Sequence, residues 1–249
     1  MQYPAVDIKD VSFSYAGQPG KLFNNLNLTI GAGERFGLFG PNGAGKTTLM
    51  SLMTGLLQDW EGDITLSGNT IKTKSKSINK LFGYVPQDFA LYEELTPVEN
   101  LAFFGAWAGL SKTAIKERTA TLLAIMQLTE AANKTVNKLS GGMKRKVNLA
   151  IGVIHEPKIL FLDEPTVGVD VQARRDIINY LLELNKNGTT LIYTSHQLSE
   201  AEGLCNHIAL INNGEIIAND TLENLLAQHR QDGLEGLFLS LTGNNYISA

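Results

Sequence analysis

Residues 40 to 47 read GPNGAGKT, with Gly40, Pro41, Asn42, Gly43, Ala44, Gly45, Lys46 and Thr47 at the spacing G-x-x-x-x-G-K-T. A glycine-rich turn of this kind exposes successive backbone N–H groups that can close around phosphate oxygens. Lys46 is placed to reach the terminal phosphates, and the Thr47 hydroxyl to ligate Mg2+. Thr48 adds a further hydroxyl. A second stretch, ILFLDE from Ile159 to Glu164, is an apolar strand pattern ending in two carboxylates. Side chains alternate along a strand, so Asp163 and Glu164 can take different roles. Asp163 suits the shell of a Mg2+ ion, and Glu164 can polarise an attacking water.

A third stretch, KLSGGMKRK, spans Lys138 to Lys146. Ser140 can cap a helix, and Gly141 and Gly142, followed by Met143, leave its first N–H groups uncovered. The helix dipole there attracts an anion. The basic residues just behind it fit either an anion site or a solvated face. The chain thus offers two places of similar chemistry about ninety residues apart, and one phosphate ligand does not need both.

These residues need elements to hold them. The stretches AVDIKDVSF (5–13) and LNLTI (26–30) alternate apolar and polar, as half-exposed antiparallel strands do. ERFGLF (34–39) runs as a strand into the glycine turn, and a helix is expected over 46–57. GDITLSG and FGYVPQ read as short strands. Thr96, Pro97 and Glu99 make a capping-box helix start, and helices are expected over 97–108, 111–127 and 141–155. KILFLD and TTLIYTS are apolar runs of the kind buried in parallel sheets. HIALIN and GEIIAND flank NNG as a hairpin.

The expected fold is α/β. A mainly parallel sheet flanked by helices forms the P-loop core, with an antiparallel β-subdomain at the N-terminal end and an inserted helical lobe. The core is expected over 1–87 and 156–230, the lobe over 88–155, and a loosely attached tail over 231–249.

The 249 residues are 43% hydrophobic and 18% charged, with net charge −4, which gives no footprint for nucleic acid. A single cysteine, Cys205, excludes an internal disulfide framework and fits a bland buried thiol. The first ten residues have neither the basic nor the apolar region of a secretory signal. The most apolar run, LAFFGAWAGL (101–110), is too short to cross a membrane. It reads as a buried helix, with its aromatic face as a candidate dock.

The order of elements is the phosphate loop, Gln87 after a strand, LSGG, LFLDEP, VGVD and His196 after a strand. This order resembles the ATP-binding cassette (ABC) ATPases over nearly the whole chain. The resemblance implies ATP and Mg2+ as cofactors. It also implies that Tyr15 stacks on adenine, that Gln87 is the lid-loop glutamine meeting Mg2+ and water, and that Ser140 to Met143 form the signature. Asp170 becomes the D-loop aspartate and His196 the switch histidine at the γ-phosphate. Met143 departs from the family's usual glutamine, and VGVD from its commoner SALD.

In this family two cassettes face each other head to tail, so the partner is expected to be a second copy or a related cassette, with ATP between each phosphate loop and the other chain's signature. VPQDFALYEELTPVENL, LDEPTVGVD and GLEGLFLSLTG resemble the ATPase subunits of bacterial ABC-2-type exporters. That implies a separate integral membrane permease, a peripheral place on the cytoplasmic side of the membrane, and a permease dock at Phe89 to Tyr92 and the 97–110 helix. A non-transport or importer role is the alternative. Chromosome-organising relatives carry a long coiled coil between phosphate loop and signature, for which this chain has no heptads.

Overall fold

A computed structural model of the chain describes residues 3–73, 76–195 and 197–243. In chain order the first segment holds β1 (Val6–Phe13), β2 (Phe23–Ile30), β3 (Arg35–Phe39), α1 (Lys46–Met53), β4 (Glu61–Leu66), β5 (Asn69–Thr70) and α2 (Lys76–Asn79). Then come β6 (Phe82–Val85), α3 (Pro97–Trp107), α4 (Lys112–Ile125), α5 (Gly141–Val153), β7 (Ile159–Asp163) and α6 (Val171–Lys186). The last segment holds β8 (Thr190–Thr194), α7 (Leu198–Leu204), β9 (His207–Asn212), β10 (Glu215–Thr221), α8 (Leu222–His229) and α9 (Leu234–Thr242). The chain forms two compact units, residues 1–78 with 190–249, and residues 79–189.

The first unit carries the antiparallel sheet that the alternating patterns predict, in the order β2-β1-β4-β5. In β2, Leu26, Leu28 and Ile30 point to the core, as period-two spacing requires. In β1, Ile8 and Val11 are both buried although three residues apart. A register shift between them, with Asp10 at φ 49°, inserts the extra residue and returns the strand to the same face. The same unit holds β10-β9-β3-β8, with β3 parallel to both β8 and β9 and β10 antiparallel at the edge. Phe36, Leu38 and Phe39 of β3 are fully buried. Each such side chain contributes about 1.5–3 kcal/mol of burial, so the strand that delivers the glycine turn is firmly anchored.

Helix α1 ends at Met53, short of the expected Leu57, because Thr54 caps it and Gly55 turns left-handed at φ 71°. The β9–β10 hairpin forms as expected around Asn213 and Gly214. The segment expected to be a loose tail includes a packed helix instead. Leu234, Leu237 and Phe238 of α9 are buried, the Leu234 N–H bonds to Glu202, and the helix lies against α7 and α8.

In the second unit β6 and β7 run parallel, Tyr84 opposite Phe161. All five residues of β7 are buried, which explains its unbroken apolar pattern. Helix α5 packs on β6, and α3 on α4 and α5, giving the helical lobe. The Thr96 capping box is formed in full, with Glu99 N–H donating to Thr96 Oγ1 (3.2 Å) and Thr96 N–H to Glu99 Oε2 (2.8 Å). Helix α6 was not among the sequence expectations. Asp170 caps it, accepting from Ala173 N–H at 2.9 Å, and Ala173, Ile177 and Leu181 bury one face at a four-residue spacing. Of the 101–110 run, only one side is interior: Leu101 and Gly105 are buried, while Trp107 is 79% exposed.

Candidate functional site

In the first unit the loop 40–47 sits between β3 and α1. Gly40 is fixed by close approach: a Cβ there would lie 2.1 Å from the Ile211 carbonyl oxygen. Gly45 precedes the helix at φ 108°, a conformation that favours glycine, with the Phe23 ring filling the space beside it. The β9–β10 turn supports the loop from outside, Gly214 N–H donating to Ala44 O at 3.1 Å. Lys46 is buried, and its Nζ donates to Gly40 O (2.8 Å) and Pro41 O (3.1 Å). The ammonium therefore stands across the mouth of its own loop, held by carbonyls. Asn42, Gly43 and Thr47 are exposed, whereas Ala44 and Thr48 are buried. Thr48 Oγ1 and Tyr15 Oη lie 2.7 Å apart in a hydrogen bond, and Tyr15 packs edge-on to Phe13. Tyr15 is 39% exposed.

In the second unit β7 delivers Asp163 and Glu164, both buried. Glu164 adopts φ 50°, a left-handed conformation that costs a non-glycine residue about 1 kcal/mol or more. The backbone thus turns sharply at the second carboxylate. Burial, with the Asp163 charge nearby, pushes the Tyr84 phenol up to about 12, so this hydroxyl stays protonated. Gln87 is exposed just beyond β6.

Ser140 caps α5, its Oγ accepting from Met143 N–H at 3.3 Å, as expected. Ser140 and Gly141 are exposed, and Gly142 is buried against Ala173 and Asp170. The Asp170 carboxylate, bonded to the Ala173 amide, is held below its usual range. Gly142 and Asp170 thus pack side by side within this unit. His196 lies outside the described residues.

The basic residues behind this turn are engaged within the unit. Lys144 Nζ bonds Glu93 at 2.8 Å, and Lys146 Nζ bonds Asp176 at 2.7 Å with both side chains nearly buried. Arg145 is buried and reaches main chain: Nη1 donates to Gln87 O (2.8 Å) and Pro86 O (3.2 Å), and Nη2 lies 3.5 Å from Val167 O. Its guanidinium sits 4.7 Å over the Phe89 ring. Burial draws Arg145 below its ordinary value, opposed by the charges of Asp88 and Glu164. Asn148, also buried, accepts from Ala90 N–H at 3.0 Å. Sequence reasoning missed Arg145 and Asn148. Their spacing on the face of α5 was visible, but the loop they hold was not.

The candidate dock is also built in this unit. Asn100 is fully buried and bonds both the N–H and the C=O of Tyr92 at 2.9 Å. Tyr92 packs against Phe103 and Phe104 with centroids 5.0 and 5.9 Å away. Phe89, Tyr92, Phe103 and Trp107 are exposed aromatics. Among the described residues no helix is long and apolar enough to cross a membrane.

Known proteins share this chain's sequence pattern and fold. The sequence pattern of the ABC transporter family matches residues 23–167. The linearmycin resistance ATP-binding protein of Bacillus subtilis is 41% identical over 228 residues, 92% of this chain and 73% of that protein. A Nod factor export ATP-binding protein I from a Rhizobium species is 38% identical over 229 residues, 92% of this chain and 75% of that protein. A solved ATP-binding subunit of an ABC transporter matches with a TM-score of 0.88 at 29% identity, over 96% of this chain and 99% of that one. A dimeric, post-hydrolysis ATP-binding cassette holding ADP and Pi matches with a TM-score of 0.79 at 26% identity, over 87% of this chain and 98% of that one.

Proposed function

The chain belongs to the ABC transporter family, and from that premise we propose that it drives export through a separate membrane permease, working as a nucleotide-sandwich pair. It is an ATP-binding, ATP-hydrolysing subunit. One observation carries the exporter reading: relatives named for linearmycin resistance and Nod factor export align over 92% of the chain.

The phosphate loop residues Gly40 to Thr48 take the phosphates of ATP, and Tyr15 offers its ring to adenine. Among the described residues no cluster of three or more His, Cys, Asp or Glu side chains could hold a metal alone. The donor set suits Mg2+ that arrives with the nucleotide and takes most of its ligands from phosphate and water. The exposed hydroxyl of Thr47 fits one such position, and Asp163 and Gln87 fit its surroundings. When bound, the ion neutralises phosphate charge. Glu164 orients and deprotonates the attacking water, and His196 contacts the γ-phosphate. Ser140, Gly141, Gly142 and Met143 serve the nucleotide of a second copy, with Asp170 beside them.

The exposed aromatics at Phe89, Tyr92 and α3 support the reading of a dock for a permease helix, and with it a peripheral position at the membrane surface. Replacing Leu91 and Tyr92 by glutamate should leave ATP hydrolysis in place and abolish co-purification with the permease; unchanged co-purification counts against the dock. The hydrolytic reading is tested by Glu164→Gln. Turnover should fall at least about a hundredfold with ATP binding retained, and full turnover would remove Glu164 as the base.

A further inference from the structure

Arg145 is a buried cation spent on main-chain carbonyls. A desolvated charge is costly unless several good bonds compensate, so what it joins matters. Its two bonds through Nη1 fall on the loop that carries Gln87, and Nη2 faces the turn at Val167, just beyond Glu164. Asn148, on the same face of α5, donates to Pro86 O (3.4 Å) and binds the Ala90 N–H, so one helix grips both ends of the 86–90 loop. The planar fork of arginine aims Nη1 at the 86–87 carbonyls and Nη2 at the Val167 carbonyl, two directions that the single ammonium of lysine does not span. Phe89 closes the other side, with the guanidinium over its ring.

We infer that Arg145 is a positioning residue that ties the signature helix to the loop of Gln87, with the Val167 carbonyl as its second anchor, so that what engages Ser140 and Gly141 sets the presentation of the Gln87 side chain. Arg145 touches no nucleotide; it acts through Gln87. The inference rests on the hydrolytic reading above.

The test is a double-mutant cycle of Arg145→Lys and Gln87→Ala in the full chain, reading kcat and KM for ATP. Arg145→Lys should lower kcat about tenfold, the scale of one charge-assisted hydrogen bond, with KM within about twofold. In the Gln87→Ala background the same change should add almost nothing, because coupled residues are not additive. Wild-type kcat in Arg145→Lys, or losses that multiply, would overturn the inference. A generally structural role would instead lower thermal stability and leave the two losses independent. Should Arg145→Lys fail to fold, Phe89→Leu tests the same claim: about a threefold kcat loss that vanishes without Gln87 supports it, and an unchanged kcat overturns it. Glu164→Gln run alongside separates the two readings. Full turnover there sinks the hydrolytic assignment, whereas an inactive Glu164→Gln with a normal Arg145→Lys sinks only this inference.

Discussion

The phosphate loop after β3 and the signature turn before α5 use the same chemistry, N–H groups at the start of a helix, yet they are finished differently. The phosphate loop closes on itself. Lys46 bonds Gly40 and Pro41, and Gly214 props Ala44 from outside. The signature turn stays open. Ser140 caps the helix and remains exposed with Gly141, while the bases behind it are spent inside the unit. We propose that a helix start left open while its own cations are engaged elsewhere is half of a site, the rest of which a second copy supplies.

The contrast can be broken by substitution. The largest effect belongs to the closed loop: Lys46→Ala should lower steady-state phosphate release by about a hundredfold or more, since one preorganised donor to developing charge carries that much. Turnover close to wild type would mean that the loop does not use its lysine. Behind the signature turn the effects should be on stability. Lys146→Ala leaves Asp176 without its cation at a nearly buried position, and should cost about 3 kcal/mol in denaturant unfolding. Lys144→Ala breaks a pair whose Glu93 side chain is 47% exposed, and should cost under about 1 kcal/mol. If the two lysines cost the same, the account of which base is structural fails.

The same contrast explains what could be read from sequence. The phosphate loop is encoded by glycines whose need is local: a turn, a close approach, a positive φ. Capping at Thr96 and Ser140 was legible for the same reason, as was the NNG hairpin. Helix α6 carried its signal in Asp170, Ala173, Ile177 and Leu181, but it was overshadowed by the motif before it. The α9 helix was underestimated because its apolar face packs on α7, from which β9, β10 and α8 separate it in sequence, as well as on the adjacent α8. Arg145 and Asn148 were illegible for a deeper reason. Their partners are backbone atoms of the 86–90 loop and of Val167, and main-chain acceptors leave no mark on the letters. The turn at Glu164 is equally silent, because φ 50° at a glutamate is imposed by its surroundings.

The pairing of two half-sites is tested most directly by the mass of Glu164→Gln in solution with ATP, measured by light scattering. The account predicts a species of twice the chain mass, and its loss when Ser140→Arg is added to fill the open turn. A single-chain mass in ATP-saturated Glu164→Gln, or a dimer indifferent to Ser140→Arg, would contradict it.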